Sequence, residues 1–558
     1  MQPCWHFQAG VAVIIRRSPN IFLRQAITMD RAPLSRTKFG APALPRWFWP
    51  VAFLAAAWVA IWLFVTRDAM LDDSLIHLRY AVNLQRLHFV TYDGIHHTFG
   101  TSSPLYVSVL ALGYQVWHSV FVPKMCSVVG YLALLGLSVA LYLRVRHQQV
   151  AGALALLFLP VVLCPMAIRW LTDGMETSLV CASVVLLAFL TFAAAKSPWR
   201  MSGGLLMFLM GFYVTTLRIE LASLCAFTAL TIFLARRHRG DGPLLRTAMQ
   251  AMPVLVGSVA ALLLMRWIFG NFLPDTALAK ASGTPGLAAF FLFFHVSGSA
   301  ALLGVGSFIL LVVTAVFAWR HTQVEDGNGR LAFLAANLNL PFILLLSSIR
   351  GQAIQAVRYV LWAMFFGIVW NLLTMAASGA RERWMPAEKT AVYGTAILFL
   401  VLLPLDIWFG GHTMLGHAQA FDQMRDESLD RLAGHTMLAD DIGFIGYFSQ
   451  ANVCDMNGLI NGRKFAALSQ VQRLQSCADQ HPDAIFLTVP RISMMGRYIP
   501  HLTEEWIACE RVDFFNVRTS DRHYLLIRKV DAERLCPRNT TLRMPISDIP
   551  QVAAAGVF

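Results

Sequence analysis

Long apolar runs alternate with short polar segments between residues 47 and 408 of this 558-residue chain. Several runs reach the roughly 20 residues that an α-helix needs to cross a bilayer. Most arginine and lysine clusters lie between these runs at positions that would place them on the same face of the membrane. We therefore predict an all-α polytopic membrane region with eleven spans, its N-terminus inside and its C-terminus outside. The predicted spans are 47–65, 122–143, 150–168, 178–195, 203–217, 221–234, 248–269, part of 287–319, 331–346, 359–375 and 392–408.

Two apolar segments are interpreted as interfacial helices rather than complete spans. If the short run 104–117 crossed the membrane, Arg144 and Arg146 would fall outside, against the positive-inside bias. The run 287–319 is longer than one span and is read as an interfacial piece followed by a span. Both interfacial pieces belong to outer loops in this topology.

Composition supports a membrane location. Hydrophobic residues make up 57% of the chain and charged residues 14%, whereas a soluble domain has about 25% charged residues. The net charge of +13 lies largely in short clusters between apolar runs, so it indicates topology rather than nucleic-acid binding. Residues 1–46 are basic and irregular and form a predicted cytoplasmic tail.

The pattern changes after residue 409, where short strand-like runs alternate with polar, helix-like segments. Alternation of this kind predicts a small α/β domain. The predicted organisation is thus a tail (1–46), a transmembrane catalytic domain (47–409) and a soluble outer α/β domain (410–558). Four cysteines in the last domain suit an oxidising compartment and predict at least one disulfide: Cys454, Cys477, Cys509 and Cys536.

Two adjacent carboxylates, Asp72 and Asp73, stand where the first span reaches the outer face. Both cannot ionise cheaply side by side, so the pair can hold a proton or a cation. The alternative is that they mark the water boundary and cap the following helix. That helix is predicted to be amphipathic, with Leu75 and Leu78 on its apolar side and residues such as His77 on its polar side.

The other outer loops carry ionisable groups that are costly near a membrane and usually functional. His96 and His97 suggest either a metal site or contact with a polar substrate, and Arg218 and Glu220 either a site or a mutual ion pair. Cations on the outer face suggest an anionic ligand such as phosphate, the alternative being loop solvation or lipid contact. These cations are Lys280, Arg350 and Arg358. No metal-ligand spacing is evident, so we predict no metal site and no certain cofactor, a divalent cation being left open.

Several motifs together resemble the GT-C glycosyltransferases, and most closely the mycobacterial terminal arabinofuranosyltransferases. The resemblance runs along nearly the whole chain, with departures at Asp275, Ile219 and 360–362, where Asn, Pro and Pro are usual. The motifs are Asp72-Asp73-Ser74-Leu75-Ile76-His77-Leu78-Arg79-Tyr80, Gly100-Thr101-Ser102-Ser103-Pro104, Asp173-Gly174-Met175-Glu176-Thr177, Arg218-Ile219-Glu220, Leu273-Pro274 with Thr276 and Lys280, Arg358-Tyr359, Asp440-Asp441-Ile442-Gly443 and Asp455-Met456-Asn457-Gly458-Leu459.

The resemblance implies a GT-C fold and transfer of a sugar, with arabinofuranose as one candidate, from a polyprenyl-phosphate donor to an acceptor hydroxyl. It implies Asp72 as the general base, with Asp73 tuning it or holding the acceptor. The implied donor-phosphate residues are Lys280, Arg350 and Arg358, and the implied substrate pocket comprises Arg79, Tyr80, His96, His97, Glu176, Arg218 and Glu220. The acceptor would be a glycan, a lipid-linked saccharide or a surface protein, and the enzyme would lie in a bacterial inner membrane with its site facing the periplasm.

Two other classes of protein remain alternatives at this level. A secondary transporter would use membrane carboxylates as a proton relay, but transporters tend to show internal repeats, and no convincing repeat is found. A membrane-anchored binding or envelope-assembly protein would leave the polar outer loops unexplained. Turnover of a polyprenyl-phosphate sugar separates the enzyme from both.

Overall fold

The computed structural model describes residues 48–94, 98–197, 200–279, 301–322, 327–350, 357–378, 385–426, 429–513, 522–537 and 542–549. The chain divides into two compact units, residues 1–57 and residues 58–558. In the first unit, residues 48–57 form the start of helix α1. Apart from the bounds of α1, everything that follows concerns the second unit.

Helices dominate the chain up to residue 426. They are α1 (Phe48–Val65), α2 (Asp72–Leu87), α3 (Pro104–Val116), α4 (Val122–Val145), α5 (Gln149–Leu163), α6 (Pro165–Thr172), α7 (Thr177–Lys196), α8 (Met201–Leu217), α9 (Leu221–His238), α10 (Leu244–Ala251), α11 (Pro253–Phe269), α12 (Asp275–Ala279), α13 (Ser307–Thr322), α14 (Gly327–Asn337), α15 (Asn339–Arg350), α16 (Leu361–Ala377) and α17 (Pro386–Asp426). A π-helical turn, Leu302–Gly306, precedes α13, and a 3₁₀ turn, Val357–Tyr359, precedes α16.

Within the described residues, four helices are long and apolar enough to cross a membrane: α4, α7, the helix ending at Arg320 and α17. Three bent pairs, α5–α6, α10–α11 and α14–α15, raise that number to seven if each pair is one span. Shorter apolar helices include α3, α8 and α16. The helical membrane region is therefore present, and the count of eleven spans stays a prediction.

Two glycines allow α8 and α11 to pack closely side by side. A Cβ at Gly211 would lie 1.9 Å from the carbonyl oxygen of Val254, and one at Gly257 would lie 2.0 Å from that of Phe208. Small residues that let two backbones approach in this way are typical of membrane helix interfaces. Large apolar side chains are exposed on other faces, such as Trp267 on α11.

The predicted polar face of α2 is not a surface. Residues 74–82 are all buried, and they include His77 and Arg79. The amphipathic interpretation is wrong for this stretch because α3, α4 and the C-terminal segment around residues 443–449 pack against it. Both polar side chains have partners within the protein, as described below.

The C-terminal region contains a six-stranded mixed sheet in the order β2-β1-β3-β5-β4-β6. Strands β2, β1 and β3 are parallel, and β5, β4 and β6 join them antiparallel. The strands are β1 (Thr436–Ala439), β2 (Asn452–Asp455), β3 (Ala484–Thr488), β4 (Trp506–Asp513), β5 (Arg522–Arg528) and β6 (Met544–Pro545). The helices among them are α18 (Gly443–Ser449), α19 (Arg463–Ala466), α20 (Gln470–Ala478), α21 (Val489–Met495), α22 (Leu502–Glu505) and α23 (Ala532–Leu535).

The two faces of this sheet pack into different cores. Side chains alternate along a strand, so Ala484 and Phe486 join the large core that extends through the helical region, whereas Ile485 and Leu487 join a separate core. Helix α17 runs without interruption across the predicted boundary at residues 409 and 410. An independent soluble domain over 410–558 therefore stays a prediction.

All four C-terminal cysteines are paired, which agrees with the prediction of at least one disulfide. Cys454 on β2 bonds to Cys477 on α20, and Cys509 on β4 bonds to Cys536. Cys454 and Cys477 belong to the separate core on one face of the sheet, and Cys509 and Cys536 to the large core on the other.

Candidate functional site

Asp73 and Arg358 form an ion pair at the start of α2. Arg358 Nη2 donates a hydrogen bond of 2.6 Å to Asp73 Oδ2, although the two residues are 285 positions apart. The Asp73 side chain is 38% exposed, whereas that of Arg358 is 7% exposed. A half-exposed carboxylate thus lies against a buried guanidinium.

Arg358 retains donor capacity. Its Nε and Nη1 atoms are buried and have no hydrogen-bond partner among the described residues. The guanidinium lies 5.7 Å from the ring centre of Trp170 and 5.3 Å from that of Tyr359. Because buried donors without acceptors are costly, this arrangement is typical of a site that an anionic or polar ligand completes.

A second ionic cluster is built from two carboxylates that share one arginine. Arg218 Nη1 donates to Glu176 Oε1 at 3.1 Å, and its Nη2 donates to Glu220 Oε1 at 2.8 Å. Arg218 also lies over the ring of Tyr359, at 5.1 Å from the ring centre. Tyr359 thereby contacts both arginines. The structure brings together Asp73, Glu176, Arg218, Glu220 and Arg358, all of which were predicted site residues.

His77 connects α2 to this cluster. Its Nε2 lies 3.7 Å from Glu176 Oε2, and its Nδ1 is 3.0 Å from the Thr101 hydroxyl. Burial lowers the pKa of His77, which favours a neutral ring despite the nearby Glu176. His77 was not among the predicted site residues, and its place one turn after Asp73 on α2 was the available signal.

Asp72 has a different environment. Its Oδ2 accepts from the backbone N–H of Gly443 at 2.7 Å, and its Oδ1 from that of Phe444 at 2.6 Å. Both oxygens therefore cap the N-terminus of α18. Burial, together with Asp441 and Asp73, raises the pKa of Asp72 well above its usual value, and these two hydrogen bonds oppose that shift. Through these contacts Asp72 attaches the start of α2 to the N-terminus of α18. Catalysis by Asp72 stays a prediction.

Arg79 and Tyr80, which were predicted to lie in the substrate pocket, are buried and form hydrogen bonds with other protein groups. Arg79 donates to the carbonyl oxygens of Tyr92, Gly446 and Ala451. The Tyr80 hydroxyl is 2.8 Å from that of Thr98, and its ring is fully buried. Arg79 thereby joins α2 to the segment around α18, and Tyr80 joins it to the loop that contains Thr98. Contact of either residue with a substrate stays a prediction.

Four predicted site positions cannot be placed. His96, His97 and Lys280 lie outside the described residues, and so does the side chain of Arg350, whose backbone ends α15. Within the part of the chain that is described, no group of three His, Cys, Asp or Glu side chains is arranged to hold a metal ion.

Asp173 is a further carboxylate beside the site. Its backbone oxygen accepts from Leu71 N at 2.9 Å, which ties this turn to the segment before Asp72. Its Oδ2 has no hydrogen-bond partner among the described residues, and burial raises its pKa to about 6, partly offset by Arg358. Asp173 belongs to one of the motifs found in the sequence, but no role was predicted for it.

Sequence comparisons identify no relative: no family model matches the chain, and no curated protein sequence matches significantly. Solved structures do match. ArnT from Cupriavidus metallidurans bound to undecaprenyl phosphate aligns with a TM-score of 0.52 and 13% identity, over 86% of this chain and 98% of that one. The same protein in the apo state aligns with a TM-score of 0.52 and 12% identity, over 86% and 97%.

These alignments show a shared fold, the GT-C fold of ArnT, and so confirm the predicted fold. An Archaeoglobus fulgidus oligosaccharyltransferase in complex with Zn and sulfate also aligns, with a TM-score of 0.42 and 11% identity, over 88% of this chain and 75% of that one. The arabinofuranosyltransferase likeness has no sequence match behind it and stays a prediction.

Proposed function

We propose that this protein is a membrane glycosyltransferase that uses a lipid-linked sugar donor. The observation that carries the proposal is the Asp73–Arg358 pair, which joins a half-exposed carboxylate to a buried arginine with unused donors. The fold shared with a protein crystallised with undecaprenyl phosphate supports the same class of donor. The chemistry requires a base for the acceptor and a cation for the departing phosphate, and the pair supplies both.

Asp73 is the general base in this proposal, in preference to Asp72. A base must reach the acceptor hydroxyl, and Asp73 is half-exposed. Both oxygens of Asp72 are occupied by backbone N–H groups of α18. Asp73 takes the hydroxyl proton, the oxygen attacks the anomeric carbon, and the bond from that carbon to the phosphate oxygen breaks.

Arg358 stabilises the phosphate that leaves. Its Nε and Nη1 are oriented by burial and by the two aromatic rings, so they need little rearrangement as negative charge develops. A guanidinium carries several donors in a fixed plane and keeps its charge, which suits a phosphate ligand. Lys280 and Arg350 stay candidates for the same phosphate.

Glu176, Arg218 and Glu220 form the wall of the proposed sugar pocket. Arg218 holds both carboxylates, which leaves Glu176 Oε2 as a buried acceptor without a hydrogen-bond partner among the described residues. A sugar hydroxyl would satisfy that oxygen. Arabinofuranose is the sugar that the sequence resemblance suggests, and the acceptor is a glycan, a lipid-linked saccharide or a surface protein. We place the enzyme in a bacterial inner membrane with this site facing the periplasm.

The test compares two carboxamide variants in purified full-length protein supplied with polyprenyl-phosphate sugars. Asp73→Asn is expected to lower the transfer rate by about 10²–10⁴-fold while donor binding persists, because the amide cannot accept the proton. Asp72→Asn is expected to lower the thermal unfolding midpoint, since its NH₂ group would face a backbone N–H of α18.

The matched control is Asp68→Asn, which removes a carboxylate from the same segment, where Asp68 pairs only with the exposed Arg67 among its recorded ion pairs. Normal turnover by Asp73→Asn, with an inactive but stable Asp72→Asn, would return the base to Asp72. Normal turnover by both would contradict the mechanism.

A further inference from the structure

His77 lies between the hydroxyl of Thr101 and the carboxylate of Glu176. Its Nδ1 is 3.0 Å from Thr101 Oγ1, and its Nε2 is 3.7 Å from Glu176 Oε2. The side chains of His77 and Glu176 are 7% and 1% exposed, and Thr101 is also buried. Because water has little access to these groups, the hydrogen positions of each depend on the others.

The hydroxyl of Thr101 decides which ring nitrogen of His77 carries hydrogen. The backbone N–H of Ser103 donates to Thr101 Oγ1 at 3.1 Å, and His77 Nδ1 is the other recorded hydrogen-bond contact of this oxygen among the described residues. The hydroxyl hydrogen therefore has the lone pair of Nδ1 as its acceptor. Burial lowers the pKa of His77 and favours a neutral ring, so the single ring hydrogen belongs to Nε2.

The carboxylate of Glu176 selects the same tautomer. It attracts an N–H on Nε2, whereas it would repel a lone pair there. A distance of 3.7 Å is too long for a hydrogen bond, so the contact is electrostatic and leaves Oε2 able to accept from another donor. The other oxygen, Oε1, accepts from Arg218 Nη1 at 3.1 Å. Arg218 thus restrains one oxygen of the carboxylate, and His77 attracts the other.

Tyr106 and Gly174 keep the ring of His77 close to the turn that carries Glu176. The rings of Tyr106 and His77 meet edge to face with their centres 5.7 Å apart, and the Tyr106 hydroxyl donates to Gly174 O at 2.6 Å. Gly174 has a φ of 89°, and a Cβ there would lie 2.9 Å from Ser74 Cβ. A glycine is therefore required for the turn to approach α2 this closely.

We propose that His77 is a positioning residue of the sugar pocket, in which its Nε2–H holds Glu176 Oε2 in place to accept a hydroxyl of the donor sugar. Thr101 fixes the tautomer, and Glu176 contacts the sugar. The inference rests on the proposed function, in which Glu176 belongs to the sugar pocket. A change at His77 should therefore affect recognition of the sugar and leave recognition of the phosphate, which Arg358 serves, unchanged.

The experiment compares the affinities of purified full-length protein for lipids with and without a sugar. The probes are undecaprenyl phosphate alone and undecaprenyl phosphate that carries arabinofuranose, glucose or mannose, titrated by native mass spectrometry. The preferred sugar is expected to increase the affinity of the wild type. That gain is expected to fall about fivefold in His77→Asn, which has no donor at the Nε2 position, and in Thr101→Val, which no longer fixes the tautomer.

Two further variants are matched to these. His77→Gln is the conservative change, because its amide nitrogen reaches the position of Nε2, and it is expected to retain most of the gain. Thr98→Val is the control for Thr101→Val, since Thr98 is also a buried threonine but its hydroxyl contacts Tyr80 on α2 instead of His77. It is expected to behave like the wild type.

Several results would overturn the inference. One is a gain in His77→Asn equal to that of the wild type. Others are equal losses of affinity for the sugar-bearing and sugar-free lipids, or equal losses in His77→Asn and His77→Gln, because these would show that His77 supports only the fold. A wild type that gains nothing from any of the three sugars would contradict the proposed sugar pocket, and this inference with it.

The tautomer can be measured without any lipid. Full-length protein labelled with ¹³C,¹⁵N-histidine is studied by magic-angle-spinning NMR at pH 7, and the His77 signals are identified by their absence from His77→Gln. The expected ring is neutral, with hydrogen on Nε2 and none on Nδ1. Hydrogen on Nδ1, alone or in a cation, would overturn the inference even where transferase activity is established.

Discussion

At the scale of single residues, charge in the C-terminal region is concentrated beside the Asp72 contact. His523 Nε2 lies 2.9 Å from Asp441 Oδ2 and 3.4 Å from Asp440 Oδ1. Burial lowers the pKa of His523, but the two carboxylates outweigh burial and raise it to about 10. The ring is therefore a buried cation that stabilises the turn from β1 into α18.

This pKa predicts how stability changes with pH. A folded-state pKa above the unfolded value of about 6.5 gives stability that is complete below pH 6.5 and is lost as pH rises towards 10. Wild-type protein should therefore unfold at a higher temperature than His523→Gln at pH 6, and the gap should narrow steadily by pH 10. Thermal unfolding followed by intrinsic fluorescence measures both midpoints.

The control is His118→Gln, because His118 is exposed. Its midpoint should follow that of the wild type at every pH. A constant gap between wild type and His523→Gln from pH 6 to 10 would show that His523 contributes by packing alone.

Residue-scale reasoning from sequence found the acidic and basic groups of the site because charge is rare in this chain. With 14% charged residues, each ionisable group in an outer loop is conspicuous. The local pattern alone does not separate Asp72 from Asp73, since adjacent identical residues have the same surroundings in sequence, and the choice of Asp72 as base came from the family resemblance. Their difference comes from α18, which begins about 370 residues later in the chain.

At the scale of elements, α2 and α18 are held together at both ends of α18. Asp72 caps its N-terminus, and Arg79 reaches the carbonyl oxygens of Gly446 and Ala451. The Tyr92 hydroxyl donates to Ile442 O at 2.5 Å. These contacts hold the segment that carries Asp73 against the C-terminal region.

Gly446→Ala tests this packing. The new Cβ would lie 2.0 Å from the Tyr92 hydroxyl oxygen, so α18 must shift or the tyrosine must move. Overpacking of this kind typically costs about 1–3 kcal/mol, and we expect a lower thermal unfolding midpoint. The control Gly203→Ala lies on α8, where a Cβ meets nothing within 4 Å; it should be neutral. Recovery in Gly446→Ala with Tyr92→Phe would identify the hydroxyl as the obstacle, and an unchanged midpoint in Gly446→Ala would contradict the close packing.

The Cys454–Cys477 bridge closes a loop with a sequence separation of 23 residues. Replacing both cysteines with serine is expected to lower the free energy of unfolding by about 3 kcal/mol, mainly through the entropy of the unfolded chain. Chemical denaturation of the full chain measures the change.

The four C-terminal cysteines should also resist alkylation under denaturing, non-reducing conditions, whereas Cys126, Cys164, Cys181 and Cys225 should react. Ready alkylation of Cys454 or Cys477 would contradict this pairing.

At the scale of the whole molecule, the predicted orientation has a direct test. Reporter fusions after residues 100, 240 and 450 should read outside, inside and outside, because the basic cluster around residue 237 belongs on the inner face. The contact of Asp72 with Gly443 requires residues 72 and 443 to share one compartment. Opposite readings at 100 and 450 would therefore contradict both the topology and the structure.

The sequence by itself determined the membrane class, the approximate helices, the strand-rich C-terminal region and most charged residues of the site. These features depend on local composition and period, which a single chain displays directly. Arg358, Glu176 and Arg218 were found for this reason. The GT-C fold was also accessible, through the order of the motifs.

Only the tertiary structure decided which of these residues meet. Burial of residues 74–82 of α2 and the different environments of Asp72 and Asp73 arise from contacts between segments far apart in sequence. A side chain's pKa and free hydrogen-bonding capacity depend on those contacts rather than on its chain neighbours. For that reason a local pattern can nominate a catalytic carboxylate, but the elements packed around it determine which carboxylate is half-exposed and which is held by backbone N–H groups.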